Sequence, residues 1–182
     1  MSKGPVKAIS PEDIRKLREL TGCGIMECKK ALEKSDGDFK KAQEILREVG
    51  LQMAAKKEGR VAKEGKVEAY IHLGAKIGVL LELNCETDFV ARSEDFCQFA
   101  KDVAMQIAFS APKYIKKSDV PADVLKVQED QKAFVQQQCL LEQPFIKDQG
   151  KTIQDYLNEL VAKIGENIVI GRFIRYKVGE VE

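Results

Sequence analysis

KVEAYIHLGAKIGVLLEL, residues 66–83, is the stretch on which the fold class turns. Val67, Ala69 and Ile71 alternate with Glu68, Tyr70 and His72, the period of a strand with one wet face. After Gly74, Ile77 to Leu83 is apolar almost throughout, as a central strand is. The two runs predict a hairpin. A chain carrying such a hairpin cannot be all-helical, so the question becomes what flanks it.

Toward the N-terminus, Leu51 to Glu64 carries no sustained apolar face and reads as a partly helical linker. Before it come three short helical stripes. Ser10-Pro11-Glu12-Asp13 offers a hydroxyl N-cap, proline in the first turn and acids against the positive end of a helix dipole. Ile14, Leu17 and Leu20 follow as an apolar face that stops at Thr21-Gly22-Cys23-Gly24. Ile25, Cys28 and Leu32 form the second stripe, and Ser35-Asp36-Gly37-Asp38 turns the chain again. Phe39, Ala42, Leu46 and Val49 form the third, with Gly50 at the usual C′ position.

Toward the C-terminus, the central strand ends in Asn84-Cys85-Glu86-Thr87-Asp88-Phe89-Val90. A helix is predicted from Ser93-Glu94-Asp95, with Phe96, Phe99, Ala100, Val103 and Ile107 on one face and Pro112 closing it. Pro121 opens another, expected to run through Lys126 to Gln138 on the surface. A Thr152 cap leads into the strongest stripe, Ile153, Tyr156, Leu157, Leu160, Val161 and Ile164, and Asn167 to Val178 returns as a long strand. The fold class is therefore α+β: a three-helix module joined to an antiparallel sheet covered by helices.

Composition narrows the function. Among 182 residues, 30 Lys+Arg face 29 Asp+Glu, which excludes a generally basic, phosphate-coating nucleic-acid binder. Charge is uneven, net +4 over residues 1–65 and −3 beyond. No apolar run approaches the roughly 20 residues that cross a bilayer, and Met1 to Lys7 lacks the apolar core of a signal peptide. The chain thus reads as cytoplasmic. Its five cysteines, Cys23, Cys28, Cys85, Cys97 and Cys139, are odd in number and lack CxxC spacing, so they read as reduced structural thiols.

Signs of reaction chemistry are thin. His72 is the single histidine and has no nucleophile motif beside it, so a histidine-dependent triad lacks support. Gly22-Cys23-Gly24 is too short for a glycine-rich phosphate loop, which argues against a nucleotide or other cofactor of its own. No metal-ligand spacing stands out either. An enzyme built on Cys85 or Asp88 is one competing class. A helix-turn-helix nucleic-acid module is another, although no helix gathers the Arg, Asn and Gln needed to read base edges. Thr87-Asp88-Phe89-Val90 is the odd feature. Phe89 either caps the core while Asp88 holds the turn, or stands exposed as an anchor for another protein.

Three blocks carry a resemblance that spans essentially the whole chain. Leu17-Arg18-Glu19-Leu20-Thr21-Gly22-Cys23-Gly24-Ile25-Met26-Glu27-Cys28-Lys29-Lys30-Ala31-Leu32 resembles the N-terminal signature of the bacterial translation elongation factor Ts family. Asn84-Cys85-Glu86-Thr87-Asp88-Phe89-Val90-Ala91 resembles its second signature, and Gln143-Pro144-Phe145 with Phe173 to Glu180 its C-terminal block. The resemblance implies a ubiquitin-associated-like module (1–52), a linker (53–65) and an α+β dimerisation-type core (66–182). It implies a guanine-nucleotide exchange factor, without covalent chemistry of its own, for elongation factor Tu in its GDP-bound and nucleotide-free states.

It further implies that the Asp-Phe pair matching Asp88 and Phe89, within Thr87 to Val90, pushes into the partner's GTPase domain and disturbs its magnesium site and phosphate loop. Positions matching Leu17, Ile25 and Met26 would pack on a helix of that domain, with Met26, off the main stripe, the most exposed. Gln106 stands where many relatives have a histidine that touches the partner, Cys23 where alanine is usual and Glu86 where glutamine is common. Longer relatives carry a duplicated core half and a projecting hairpin, of which Lys126 to Gln138 is a remnant. Short members with one core half resemble those that form homodimers, which implies a two-to-two complex with no direct nucleic-acid or membrane contact.

Overall fold

The computed structural model describes residues 9–180; the Met1 to Lys7 segment read above lies outside them. Three helices come first, α1 (Pro11–Thr21), α2 (Ile25–Lys34) and α3 (Phe39–Lys57). A hairpin follows, β1 (Glu64–Ile71) and β2 (Ile77–Cys85), then α4 (Asp88–Ala91) and α5 (Glu94–Ser110). Beyond them lie α6 (Ala122–Lys126), α7 (Gln131–Gln138), a small hairpin of β3 (Pro144–Phe145) and β4 (Asp148–Thr152), α8 (Ile153–Ile164) and β5 (Val169–Lys177). The architecture is α+β, as expected.

The first cap forms as the sequence predicts. Ser10 Oγ accepts from the Asp13 amide at 3.1 Å and the Asp13 carboxylate accepts from the Ser10 amide at 3.2 Å, an arrangement worth about 1 kcal/mol. Gly22 ends α1 in the left-handed region at φ 67°, its amide donating to the Arg18 carbonyl at 2.7 Å. Leu17, Cys28, Ala31, Leu32, Ala42 and Leu46 close a small core between the three helices.

The third helix does not end at Gly50. It continues to Lys57, so Leu51 to Lys57, expected in the linker, are helical. Gly50 is buried where α3 crosses α8, and a Cβ there would lie 3.6 Å from the Ala162 Cβ and 3.9 Å from the Asn158 carbonyl. Packing against α8 outweighs glycine's weak helix propensity. Because the added methyl would find ordinary contact, Gly50→Ala is expected to raise stability in urea unfolding by about 0.5–1 kcal/mol. A loss of stability would show that the crossing tolerates no methyl.

The sheet order is β1-β2-β5, antiparallel throughout, which puts the apolar strand at the centre as expected. Its faces are the surprise. Tyr70, Glu68 and Lys66 stand opposite Val79, Leu81 and Leu83, and side chains directly opposite share a face. Since Val79, Leu81 and Leu83 face the core, β1 turns its polar set inward and leaves Val67, Ala69 and Ile71 in water. The inward set is accommodated at the sheet edge: Lys66 pairs with Glu68 at 2.8 Å and donates to Cys97 Sγ at 3.7 Å. Gly65 opens this strand at φ 147°, where a Cβ would run into the Leu83 carbonyl.

Helix α5 covers the inner face of the sheet, and Phe96, Phe99, Ala100, Val103 and Ile107 are all fully buried there. Asp102 is buried beside them, held by Lys147 Nζ at 2.6 Å, the Tyr156 hydroxyl at 3.1 Å and Gln98 Nε2 at 3.0 Å. The expected helix through Lys126 to Gln138 breaks in two. Asp130 begins a second helix by accepting from the Ala133 amide at 2.9 Å, a side-chain cap that competes with continuation. The β3–β4 hairpin was not predicted.

Thr152 caps α8 as expected, its hydroxyl accepting from the Asp155 amide at 3.1 Å. Burial pushes the Asp155 carboxyl up, but the Arg47 guanidinium at 2.7 Å and the Thr152 amide and hydroxyl together hold it below the usual carboxylate range. That ion pair ties α3 to α8 beside a cleft of about 570 Å³ between the helical module and the core.

Candidate partner-binding surface

Between the central strand and α5 the chain makes a single helical turn, α4, absent from the sequence reading. Thr87 caps it, the hydroxyl accepting from the Val90 amide at 3.5 Å. Ala91 is buried and Val90 packs partly against the core, so the turn is rooted on one side. Phe89 points the other way and is 84% exposed. The core-capping reading of Phe89 is therefore excluded. Asp88 lies beside it in an exposed ion pair with Arg92 at 2.9 Å, a contact worth at most about 1 kcal/mol and readily given up to a partner.

The turn before α4 is held from a distant segment. Glu166 Oε2 accepts from the Glu86 and Thr87 amides at 3.1 and 3.0 Å, and Glu166 Oε1 accepts from the Thr87 hydroxyl at 2.6 Å. Glu86 Oε1 in turn accepts from the Asn167 amide at 2.7 Å. Sequence reasoning missed Glu166 because nothing local marks a contact 79 residues away.

On the helical module, Ile25 and Met26 are both exposed at the start of α2. Leu20 is exposed near the end of α1. Leu17 is a correction. It is completely buried between the three helices, so it supports this surface from beneath and does not offer a contact. The sequence read Leu17 and Leu20 as one face, but the helix packing splits them.

Gln106 is a second correction. It is buried on α5, donating to Gln143 Oε1 at 3.1 Å and to the Pro144 carbonyl at 3.2 Å while its own oxygen accepts from the Ile146 amide at 2.9 Å. Buried with both its amide nitrogen and its oxygen engaged, it pins the β3–β4 hairpin to α5 and is unavailable to a partner.

Thiol chemistry finds no support. Burial, and next the Glu166 carboxylate, push the Cys85 thiol up to about 11, the opposite of an activated nucleophile. Burial also raises Cys23, Cys28 and Cys139. His72 sits just past β1, bonded through Nδ1 to the Tyr70 hydroxyl at 3.0 Å. Among the described residues no three His, Cys, Asp or Glu side chains gather as a metal site, and no helix is long and apolar enough to cross a membrane.

The surface thus offers an exposed aromatic on a rooted turn and a second apolar patch on a separate module, the features of protein recognition. Comparison with known proteins gives the family. The model of the family described as elongation factor TS matches residues 21–133 and 127–180. The elongation factor Ts of Moorella thermoacetica is 49% identical over 94% of this chain and 96% of its own. Those of Thermoanaerobacter sp. strain X514 (51% identical, 94% and 96% covered) and Thermodesulfovibrio yellowstonii (49%, 96% and 98%) are equally similar. The chain therefore belongs to the elongation factor Ts family of translation elongation factors.

Proposed function

We propose that this chain accelerates GDP release from elongation factor Tu by inserting Asp88 and Phe89, flanked by Thr87 and Val90, into the GTPase domain, with Ile25 and Met26 as the second contact. The observation that carries it is the exposed Phe89 on a turn rooted in the core. An exchange factor needs no proton shuttle. It binds the nucleotide-free partner more tightly than the GDP-bound one, and reciprocity then requires that it weaken GDP by the same factor. A phenyl ring gains burial only when a pocket opens in the partner, so its energy favours the distorted state. Asp88 acts near a magnesium ion of the partner whose charge otherwise neutralises the phosphates. The chain itself needs no cofactor and no metal for this, touches no nucleic acid or membrane, and works in the cytoplasm.

The test is the release of a fluorescent GDP analogue from elongation factor Tu. Catalytic amounts of this chain should speed release and leave the spontaneous rate as the baseline. An unchanged rate at saturating chain sinks the reading.

Residues 1–52 would act as the docking module, 53–65 as the connection, although its first turns belong to α3, and 66–182 as the core. A homodimer is part of the same proposal. Ile71, Gly78 and Tyr176 form one row across the bare face of the sheet, and Ala69, Leu80 and Ile174 the next. Val67 (65% exposed) and Ile71 (66%) extend the apolar surface, with the Glu82–Arg172 pair at its edge at 2.7 Å. A second copy packed through the same face about a two-fold axis would close a sandwich of two sheets about 10 Å apart. Each dimer would then serve two GTPases. Leu80→Lys, at the centre of the face, is expected to halve the mass in sedimentation without changing the far-ultraviolet dichroism. A wild-type chain that sediments as a monomer at micromolar concentration refutes the dimer.

A further inference from the structure

We propose that Glu166 is a positioning residue for the exchange wedge, a role that rests on the exchange reading above. From the turn between α8 and β5, its carboxylate accepts three hydrogen bonds from the two residues that precede α4. The Thr87 hydroxyl that donates to Glu166 is the same one that caps the Val90 amide, so the carboxylate aims the cap itself. Glu86 answers from the other side by accepting from the Asn167 amide. Two neighbouring turns thus exchange carboxylate-to-backbone bonds, and charged acceptors make such bonds roughly twice as strong as neutral ones.

The clamp extends to the connection with the helical module. Asn167 is buried and donates through Nδ2 to the Arg60 carbonyl at 2.7 Å, while the Arg60 guanidinium lies 3.7 Å from Glu86. The Cys85 thiol donates to the Thr87 carbonyl at 3.1 Å.

Four residues cannot hold a helical turn on their own, because nucleation costs more than one hydrogen bond returns. The C-terminal side of α4 is fixed by burial of Ala91 and partial burial of Val90; the N-terminal side has the Glu166 clamp. A wedge left to order itself on docking would spend part of its binding energy on lost chain entropy. Glu166 supplies that order beforehand, so its contribution falls on the release step rather than on encounter, which the module surface also serves.

The experiment measures fluorescent GDP release from elongation factor Tu across a range of chain concentrations for wild type, Glu166→Ala and Glu166→Gln. Hydrogen exchange at the Glu86 and Thr87 amides is followed on the free chains. In the folded Glu166→Ala chain the saturating release rate should fall about tenfold, with a much smaller change in half-saturating concentration and fast exchange at both amides. Glutamine can accept from the two amides and donate to the Thr87 oxygen, so Glu166→Gln should restore most of the rate and the slow exchange. Should Glu166→Ala fail to fold, Glu166→Asp keeps the charge but shortens its reach by one methylene, and must lower the saturating rate together with faster exchange at the Glu86 and Thr87 amides.

A wild-type release rate in the alanine chain overturns the proposal. So does equal loss in both Glu166 variants that tracks their melting temperatures, since that is stability alone. A wild-type chain inert toward the GTPase overturns the exchange reading and this role together, and is recognised before any variant is compared.

Discussion

Phe89→Ala is expected to leave thermal unfolding unchanged and to slow GDP release from elongation factor Tu by about thirtyfold or more, the size of an interface hot spot worth at least about 2 kcal/mol. The ring is 84% exposed, so its removal opens no cavity and unsatisfies no polar group. Thr87 still caps α4, and Val90 and Ala91 still root it. In the proposed mechanism the pocket for the ring opens only as the nucleotide site distorts, so the loss is expected in the complex, and chiefly in the saturating release rate. Parallel measurements of GDP release and of melting decide the matter. A folded alanine variant that releases GDP at the wild-type rate removes Phe89 from the mechanism; one that loses several degrees of stability shows that the ring packs in solution after all.

Phe99→Ala, ten residues on, should do the reverse. Phe99 is fully buried on α5, with its ring edge-on to Tyr156 at 4.8 Å between centroids. Tyr156 in turn stacks on Phe145 at 5.0 Å and donates to the buried Asp102. Truncation loses the transfer free energy of the ring and leaves a cavity under a polar network that cannot collapse freely, costing about 3–5 kcal/mol. Against a total of about 5–15 kcal/mol for a domain, that leaves a marginal protein. Urea unfolding should show the midpoint falling sharply, and exchange activity should decline only in proportion to the folded fraction. A cost below about 1 kcal/mol would mean that α5 does not carry the core of the sheet layer.

The contrast between the two phenylalanines shows where sequence reading succeeds. Phe99 belongs to a stripe repeating at helical spacing, and such a stripe has one economical solution, burial against another layer. Phe89 stands outside any period, and the residues around it left both readings open. The role proposed for it rests on a motif read through family resemblance, while its exposure required knowing that Val90 and Ala91 take the inward side of α4.

Local signals therefore determined the fold class and where several of the elements start and stop. Ser10 and Thr152 cap the helices they were expected to cap, α5 begins at the expected Ser93-Glu94-Asp95, Gly22 ends α1, and the apolar run from Ile77 to Leu83 became the central strand. The caps and the Gly22 stop are set by interactions within a few residues along the chain, and the central strand is marked by its unbroken apolar run, so each is legible locally. Tertiary structure alone decided the rest. The crossing with α8 carried α3 past Gly50, and the pairing register turned Val67, Ala69 and Ile71 outward. Helix packing buried Leu17 and Gln106, and a carboxylate 79 residues away took hold of the turn before Phe89. These outcomes depend on which surfaces meet across the fold, and a hydrogen bond or a packed face formed at such separation leaves no periodic trace in the sequence at either end.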